Sequence, residues 1–204
     1  MIVIVDYGMG NLRSVQKAFE KVGVDATISS DPSIFDRAKA LVVPGQGSFP
    51  EAVHRMNEKH LITPLREWIS NDKPFLGICV GLQLLFETSE EGEGVEGLSA
   101  FSGKVVKFPP GGKIPQMGWN TVEKTESALD CPILEGIPSG SYFYFVHSYY
   151  VVPDDISITA ARTNYIVDYV SMIRKGNLYA MQFHPEKSQD HGLKIIKNFC
   201  DIYT

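Results

Sequence analysis

The sequence carries no excess of positive charge. Its 204 residues include 19 lysines and arginines against 24 aspartates and glutamates, which gives a formal net charge of -5 at pH 7. Binding to nucleic acid usually requires clustered basic side chains that displace counterions from the phosphates. The composition therefore argues against a protein that acts on DNA, RNA or an acidic membrane surface.

Cysteine is also scarce, and there is no long hydrophobic run. Cys79, Cys131 and Cys200 are odd in number, widely spaced and without a CxxC pair, so neither a disulfide framework nor a zinc site is expected. The apolar run 1–5 lacks a basic flank and ends at Asp6, far short of a signal peptide or a membrane span. These absences predict a cytoplasmic protein with no metal or other cofactor.

What is present suits a single folded domain. Hydrophobic residues make up 44% of the chain and charged residues 21%, and the length is sufficient to bury a substantial core. No internal repeat, low-complexity segment or linker divides the chain. One domain spanning residues 1–204 is therefore predicted.

The first half of the chain alternates short β-branched runs with helical patterns, which is typical of parallel strands joined by crossover helices. Beyond Gly92 the strand-like runs are separated by glycine and proline, which indicates antiparallel strands added to the parallel half. The predicted fold is α/β, with a central, mostly parallel sheet flanked by helices. Predicted strands cover 2–5, 26–29, 40–43, 74–78, 104–108, 141–152, 169–174 and 178–183, and predicted helices cover 12–22, 51–56, 64–70, 80–87 and 192–202.

The segment Gly77-Ile78-Cys79-Val80-Gly81 has the pattern of a nucleophile held on a tight turn between a strand and a helix. Glycine on both sides avoids collisions with the adjacent strand and helix, and the start of a helix offers free N–H groups to a thiolate. The helix end contributes only about 0.3 to 1 kcal/mol, which is too little to activate the thiol without a base. Taken alone, the segment also fits an inert, buried cysteine at the end of a strand.

His184-Pro185-Glu186 supplies the candidate base, directly after the predicted strand 178–183. In extended backbone, residues two apart point to the same side, and Pro185 disfavours helical backbone at His184. Glu186 is therefore expected to lie beside the imidazole, fix its tautomer and stabilise the imidazolium. The alternative is a solvated turn with an incidental histidine.

The remaining histidines have weaker claims. His54, His60 and His191 lie in polar segments without metal-ligand spacing, and His147 lies in an apolar strand where it fits a core position equally well.

A negative charge develops on oxygen when a thiolate attacks an amide, and losing one donor to that oxygen typically costs about 2.7 to 4 kcal/mol. The backbone N–H of Val80, directly after the nucleophile, is one candidate donor. The second comes from the glycine-containing loop Pro44-Gly45-Gln46-Gly47, with Gly47 as the candidate. Read alone this loop is a weak signal, because glycine-rich turns after strands are common.

In this order the motifs resemble those of class I glutamine amidotransferases, a family with a Cys-His-Glu triad. The resemblance extends from Asp6 to the last helix and implies the flavodoxin-like fold of that family. Within the family the chain is similar to the glutaminase subunits of imidazole glycerol phosphate synthases. The segments that carry the resemblance are 44–47, 77–83 and 183–186 for the family, and 6–12, 84–87, 117–120, 144–149 and 187–188 for that branch.

The resemblance implies a reaction at glutamine. Cys79 would attack the side-chain amide with His184 as base and Glu186 as its orienting group, ammonia would leave, and water would hydrolyse the thioester to glutamate. Gln83 lies one helical turn after Cys79 and would hold the amino-acid end of the substrate. The substrate-binding residues implied by the resemblance are Gly45, Gln83, Ser148 and Tyr149, together with backbone around Gly47.

The resemblance also implies a partner. This is a (β/α)₈-barrel cyclase subunit that forms a heterodimer with the glutaminase, receives ammonia through a channel and makes imidazole glycerol phosphate in histidine biosynthesis. The residues that match family positions near this interface are Asn11, Trp119, Asn120, Tyr144 and Lys187. For Trp119, an aromatic anchor of the kind favoured at interfaces, a plain core tryptophan is the alternative.

Gln46 departs from the family, in which a small apolar residue such as valine is expected at this position. Since Gln46 adjoins the proposed oxyanion site, we hypothesise that the isolated chain hydrolyses glutamine slowly until its partner completes the site. Three other functions remain open. They are a paralogous glutaminase that feeds another acceptor such as a surface-sugar amidating enzyme, a hydrolase or peptidase with the same strand-nucleophile-helix corner, and a non-catalytic binding or redox-sensing module that uses the Cys79 thiol.

Overall fold

The first half of the chain alternates strands and helices, as its pattern predicts. The computed structural model describes residues 1–204. The elements of this half are β1 (Ile2–Val5), α1 (Leu12–Lys21), β2 (Ala26–Ser29), β3 (Ala40–Gly45), α2 (Phe49–Glu58), α3 (Ile62–Ser70), β4 (Phe75–Cys79) and α4 (Val80–Gln83).

The second half consists mainly of strands and ends in a long helix. Its elements are β5 (Phe86–Ser89), β6 (Gly92–Glu96), β7 (Phe101–Lys107), β8 (Gln116–Lys124), β9 (Ser141–His147), β10 (Tyr149–Pro153), β11 (Thr159–Tyr165), β12 (Val167–Lys175), β13 (Leu178–Met181) and α5 (Gln189–Tyr203).

Five parallel strands in the order β2-β1-β3-β4-β13 form a continuous block that ends at the edge strand β2. Strands β1, β3 and β4 are buried along their whole length, as expected of parallel strands covered on both faces. From β13 the sheet continues through β12 and β10 in antiparallel pairing, and β11 leads from β12 to the β8–β9 pair. This arrangement confirms the predicted α/β fold with antiparallel strands added in the second half.

The predicted helix 80–87 is too long. The helix α4 ends at Gln83, and the chain turns at Leu84 and Leu85 into strand β5. The carbonyls of Leu84 and Leu85 accept hydrogen bonds from the later segment 98–101 instead of from the next helical turn. The predicted burial of this stretch is confirmed, because every residue from Val80 to Phe86 is buried.

The predicted strand 141–152 is two strands, because the chain bends at Ser148 between β9 and β10. Strands β6, β8 and β11 have no counterpart in the prediction. They are mostly solvent-facing or irregular in their burial pattern, so the alternation that marks a half-buried strand is weak there.

Helix α5 packs against the short 3₁₀ turn Pro185–Lys187, which follows β13. The closest approach is at Gly192, where a Cβ atom would collide with the carbonyl oxygen of Pro185. The Ser188 hydroxyl fixes the same region, since it donates to the His184 carbonyl at 2.6 Å and accepts the Tyr144 N–H at 2.9 Å. The position of this turn therefore depends on a glycine in the helix.

We expect Gly192→Ala to destabilise the protein by about 1 to 3 kcal/mol, because the added methyl forces α5 away from the turn. Helix propensity alone would predict a gain, since alanine exceeds glycine by about 1 kcal/mol. Urea unfolding measures the difference, with Lys197→Ala on the exposed face of α5 as control. Equal or greater stability of the Gly192 variant would contradict this packing.

Candidate active site

Cys79 stands at a strained corner between a strand and a helix. It is the last residue of β4, and its backbone angles of φ 54° and ψ −106° are rarely adopted by non-glycine residues. A Cβ on Gly77 would lie 2.9 Å from that of Ala180, and a Cβ on Gly81 would collide with the Val43 carbonyl. The two flanking glycines are thus required by the neighbouring strands, as the sequence pattern suggests.

His184 and Glu186 form a buried pair. Nδ1 of His184 lies 2.8 Å from Oε1 of Glu186, and the two side chains are only 1% and 2% exposed. The expected contact is therefore present, but it is made through the 3₁₀ turn 185–187 rather than through extended backbone. The carboxylate fixes the hydrogen on Nδ1 and leaves Nε2, which has no hydrogen-bond partner, free to exchange a proton.

Cys79 and His184 line the same cavity, of about 400 Å³. Burial by itself lowers the pKa of His184, but its interactions with the Cys79 thiolate and with Glu186 outweigh burial and raise the pKa to about 10. The imidazolium is therefore the favoured form beside a thiolate. A carboxylate, an imidazole and a thiol in this order can activate the sulfur and later protonate a leaving group.

Most of the other predicted site residues also line this cavity. Gly45 does not, because it lies at the end of β3 with its Cα packed against the Tyr7 hydroxyl and Val80. Glu186 lies behind the imidazole rather than in the cavity wall. The predicted residues in the wall, besides Cys79 and His184, are Gly47, Val80, Gln83, Ser148 and Tyr149, together with Tyr144 and Lys187 from the predicted interface.

Two further groups near Cys79 or in the cavity wall are not predicted by the sequence motifs. Glu91 lies in the wall and accepts the Phe49 N–H at 2.7 Å, and Gln182, fully buried, donates to the Cys79 sulfur at 3.5 Å. Glu91 belongs to a hairpin for which the sequence contains no signal. Gln182 precedes His184 by two residues, and that proximity is the one available hint.

Of the predicted interface residues, Trp119 is 46% exposed, so the alternative of a core tryptophan is wrong. Its ring packs edge-on against Tyr144 at 6.2 Å, and Lys187 Nζ lies 5.8 Å from the Tyr144 ring. Asn11 caps α1 by accepting the Ser14 N–H. Asn120 donates to the Asn164 carbonyl at 2.9 Å.

His147 is a structural member of the cavity wall. Its Nδ1 donates to the Tyr149 carbonyl at 2.8 Å, and Nε2 lies 3.1 Å from both the Tyr169 hydroxyl and the Gln116 amide oxygen. Burial lowers the pKa of His147 to about 4, so the ring is neutral at pH 7. Cys131 and Cys200 are buried in the core, and burial raises the pKa of each thiol.

No group of three histidine, cysteine, aspartate or glutamate side chains is arranged to hold a metal ion. Likewise, no helix combines the length and apolarity needed to cross a membrane.

A parallel α/β sheet that presents a strained cysteine to a buried histidine-glutamate pair is the arrangement of an enzyme with a thiol nucleophile. Residues 3–202 match the family described as glutamine amidotransferase class-I. The chain belongs to the class I glutamine amidotransferases.

Its relatives include proteins described as imidazole glycerol phosphate synthase subunit HisH. That of Syntrophotalea carbinolica is 47% identical, with 99% of this chain and 100% of the relative covered, and that of Rhodopirellula baltica is 49% identical, with 98% and 97% covered. Among solved structures, a protein of Thermoplasma acidophilum described as a GMP synthase subunit superposes with a TM-score of 0.71 at 25% identity, covering 98% of this chain and 92% of that one. PurLQS of Thermotoga maritima shares the fold, with a TM-score of 0.75 at 18% identity over 100% of this chain and 98% of that one.

Acidification between pH 6.5 and 4 should destabilise the protein through His147. Its pKa is lower in the folded chain than the ordinary 6.5, so in this range the unfolded chain binds a proton that the folded chain does not. The stability lost from this group by pH 4.5 is about 2 to 3 kcal/mol. The raised pKa of His184 acts in another window, because its contribution is complete below pH 6.5 and is lost as the pH rises through about 10.

His147→Asn keeps a donor for the Tyr149 carbonyl but cannot titrate. Urea unfolding of both proteins at about pH 7 and pH 4.5 should show a smaller acid-induced loss of stability in the variant. Identical losses would mean that His147 accepts a proton in the folded protein as readily as in the unfolded chain.

Proposed function

We propose that this chain is the glutaminase subunit of an imidazole glycerol phosphate synthase. It hydrolyses glutamine to glutamate and passes the ammonia to a (β/α)₈-barrel cyclase subunit in histidine biosynthesis. The observation that carries the proposal is the strained Cys79 in one cavity with His184, whose Nδ1 is paired with Glu186 at 2.8 Å. The relatives described as imidazole glycerol phosphate synthase subunit HisH, at 47% to 49% identity over nearly the whole chain, support the pathway.

In the proposed reaction the Cys79 proton passes to Nε2 of His184, and the resulting thiolate attacks the side-chain amide carbon of glutamine. The tetrahedral intermediate collapses as His184 returns that proton to the leaving nitrogen, so ammonia departs and a γ-glutamyl thioester remains. Water, deprotonated by His184, then attacks the thioester, and glutamate leaves with the thiol restored. Glu186 holds the imidazole in the required tautomer throughout and stabilises its charged form.

The developing oxyanion is assigned to the N–H groups of Val80 and Gly47, both of which line the cavity. The N–H groups of Gln46 and Gly47 donate no hydrogen bond within the chain, so they remain available to a ligand. The Gln46 side chain, in place of a small apolar residue, adds polar bulk at the cavity wall. This supports slow turnover by the isolated chain, with the oxyanion loop settling only when the partner docks.

The amino-acid end of glutamine is assigned to Gln83, Ser148, Tyr149 and Glu91. Gln83 donates its amide hydrogens to the Tyr149 carbonyl and to Gln182, which leaves its oxygen to accept from the substrate ammonium. Glu91 adds a negative charge suited to the same ammonium. Gly45 contributes indirectly, because its lack of a side chain lets β3 carry the oxyanion loop close to Val80.

The cyclase is proposed to dock on the outer face of the β8–β9 pair. Strand β9 alternates strictly, with Phe143 and Phe145 buried and Tyr142 exposed. Opposite residues of the pair share a face, so exposed Met117 and Trp119 join it, at 62% and 46% exposure. An exposed aromatic and methionine cluster of this kind is typical of an interface. Tyr144 packs against Trp119, and Lys187 Nζ lies over the Tyr144 ring. Tyr144 and Lys187 also line the cavity, which gives ammonia a short path to the partner. Asn11 and Asn120 are assigned to the same interface by the resemblance to the family.

We further propose that residues 1–204 act as one domain and work in the cytoplasm. A single core cluster of 59 buried residues has members in every strand except β6, which supports one cooperative unit.

Replacing the nucleophile tests the reaction. Cys79→Ala should lower glutamate release from glutamine by at least about 10³-fold, because no other group can form the thioester. Cys200→Ala, which removes a buried thiol from α5, serves as the control and should retain activity. Glutamate is measured by a coupled dehydrogenase assay, and comparable loss in both variants would argue against a thioester on Cys79.

The partner is tested by adding the cyclase and its nucleotide intermediate to the purified chain. Glutamate release should be slow alone and strongly stimulated in the complex, since docking completes the oxyanion site. Full activity of the isolated chain would contradict partner-dependent activation. A failure of this cyclase to stimulate or bind would instead favour a different ammonia acceptor.

Trp119→Ala should weaken cyclase binding by about tenfold or more, because interface tryptophans commonly contribute 2 kcal/mol or more. Leu129→Ala is the matched control, since Leu129 is also exposed and apolar but lies beyond the far end of β8. Isothermal titration of each variant with the cyclase gives the dissociation constants. Equal affinities would place the interface elsewhere.

A further inference from the structure

Gln182 lies beside the nucleophile although no recognised motif assigns it a role. In the parallel pairing of β13 with β4, Met181 stands opposite Ile78, so the next residue of each strand, Gln182 and Cys79, come side by side. The Gln182 backbone N–H donates to Ser171 at 2.9 Å, and its side chain is fully buried. A buried amide without partners is costly, so its contacts reveal what it does.

The orientation of this amide is fixed by its neighbours. Gln83 lies 3.1 Å from the Tyr149 carbonyl oxygen, which can only accept, so the Gln83 atom there is its NH₂ group. That nitrogen is also 3.1 Å from Gln182, which must therefore present its oxygen. The Gln182 NH₂ group is left facing the Cys79 sulfur, at 3.5 Å.

The sulfur thus lies between one acceptor and one donor. The carbonyl of Val146, at 3.9 Å, can accept from the thiol but opposes a thiolate. Gln182 has the reverse effect, because an N–H donor binds a charged acceptor about twice as strongly as a neutral one. Since the Gln182 side chain is fully buried, its N–H donor is shielded from bulk solvent.

We propose that Gln182 is a further catalytic residue, whose amide N–H stabilises the Cys79 thiolate while its amide oxygen holds Gln83 with the oxygen facing the substrate. One side chain then links the group that binds the substrate ammonium to the atom that attacks its amide. The inference rests on the proposed role of Cys79 and assigns that site an additional donor.

The test is the rate at which iodoacetamide alkylates Cys79 in the absence of glutamine, followed by peptide mass spectrometry from about pH 5 to pH 9. In Gln182→Met, which is similar in length but has no N–H, the rate near pH 7 should fall about tenfold and the profile should move to higher pH. Gln182→Glu keeps an acceptor for Gln83 but puts a carboxylate beside the sulfur, and should move the profile further in the same direction. An unchanged profile in either variant overturns the proposal.

Two further variants separate this role from simple packing. Asn198→Leu removes another buried amide, one that donates to the Ile133 and Glu135 carbonyls, and should lower stability without moving the alkylation profile. Gln83→Met removes the N–H that fixes the Gln182 amide, so it should raise KM for glutamine and move the alkylation profile to higher pH by less than Gln182→Met does. A shift in Asn198→Leu comparable to that in Gln182→Met, or a larger shift in Gln83→Met, overturns a direct effect of Gln182 on the sulfur. Because alkylation needs no turnover, it can succeed or fail independently of glutaminase activity in the wild-type chain.

Discussion

The reaction centre depends on a steric constraint at the corner between β4 and α4. Cys79 holds a backbone conformation that costs on the order of 1 to 3 kcal/mol for a residue with a side chain. It cannot relax, because α4 contacts the Val43 carbonyl through Gly81 and β4 is fixed between two fully buried strands. Burial of the neighbouring strands therefore holds Cys79 in this strained backbone conformation, and the conformation directs the sulfur into the cavity.

Much of this arrangement is readable from local sequence. The parallel strands appear as continuous apolar runs, and the glycines around Cys79 indicate the close approach of neighbouring backbone. The predicted helix after Cys79 is too long because Leu84 and Leu85 have helical spacing in the sequence. In the structure their carbonyls accept hydrogen bonds from the later segment 98–101 instead. Local periodicity contains no information about that competition.

Other parts of the site could not be predicted, because their roles depend on distant pairing. Glu91 reaches the cavity wall because the β5–β6 hairpin brings it to Phe49, 42 residues earlier. Gln182 contacts side chains 99 and 103 residues away, so nothing in its own neighbourhood marks it as special. Trp119 is ambiguous in the sequence for a related reason: its exposure is set by the alternation of a strand that the sequence does not reveal.

Strand β9 connects the cavity that holds Cys79 with the surface proposed for partner docking. Its inward residues Phe143, Phe145 and His147 are locked in the core, while Tyr144 and Val146 point to the outer face. The Val146 carbonyl also accepts a hydrogen bond from the Cys79 thiol, and Ser148 and Tyr149 follow in the cavity wall. Because packed cores resist deformation, the buried Phe143 and Phe145 hold β9 in place when a partner binds to its outer face.

The parts of the site that can move are then the side chains at the opening of the cavity and the Gln46–Gly47 loop, whose N–H groups lack partners in the chain. The fold thus keeps the nucleophile and the adjacent Val80 N–H rigid and leaves flexibility to the loop that carries the proposed Gly47 donor, the component that a docking subunit would need to adjust.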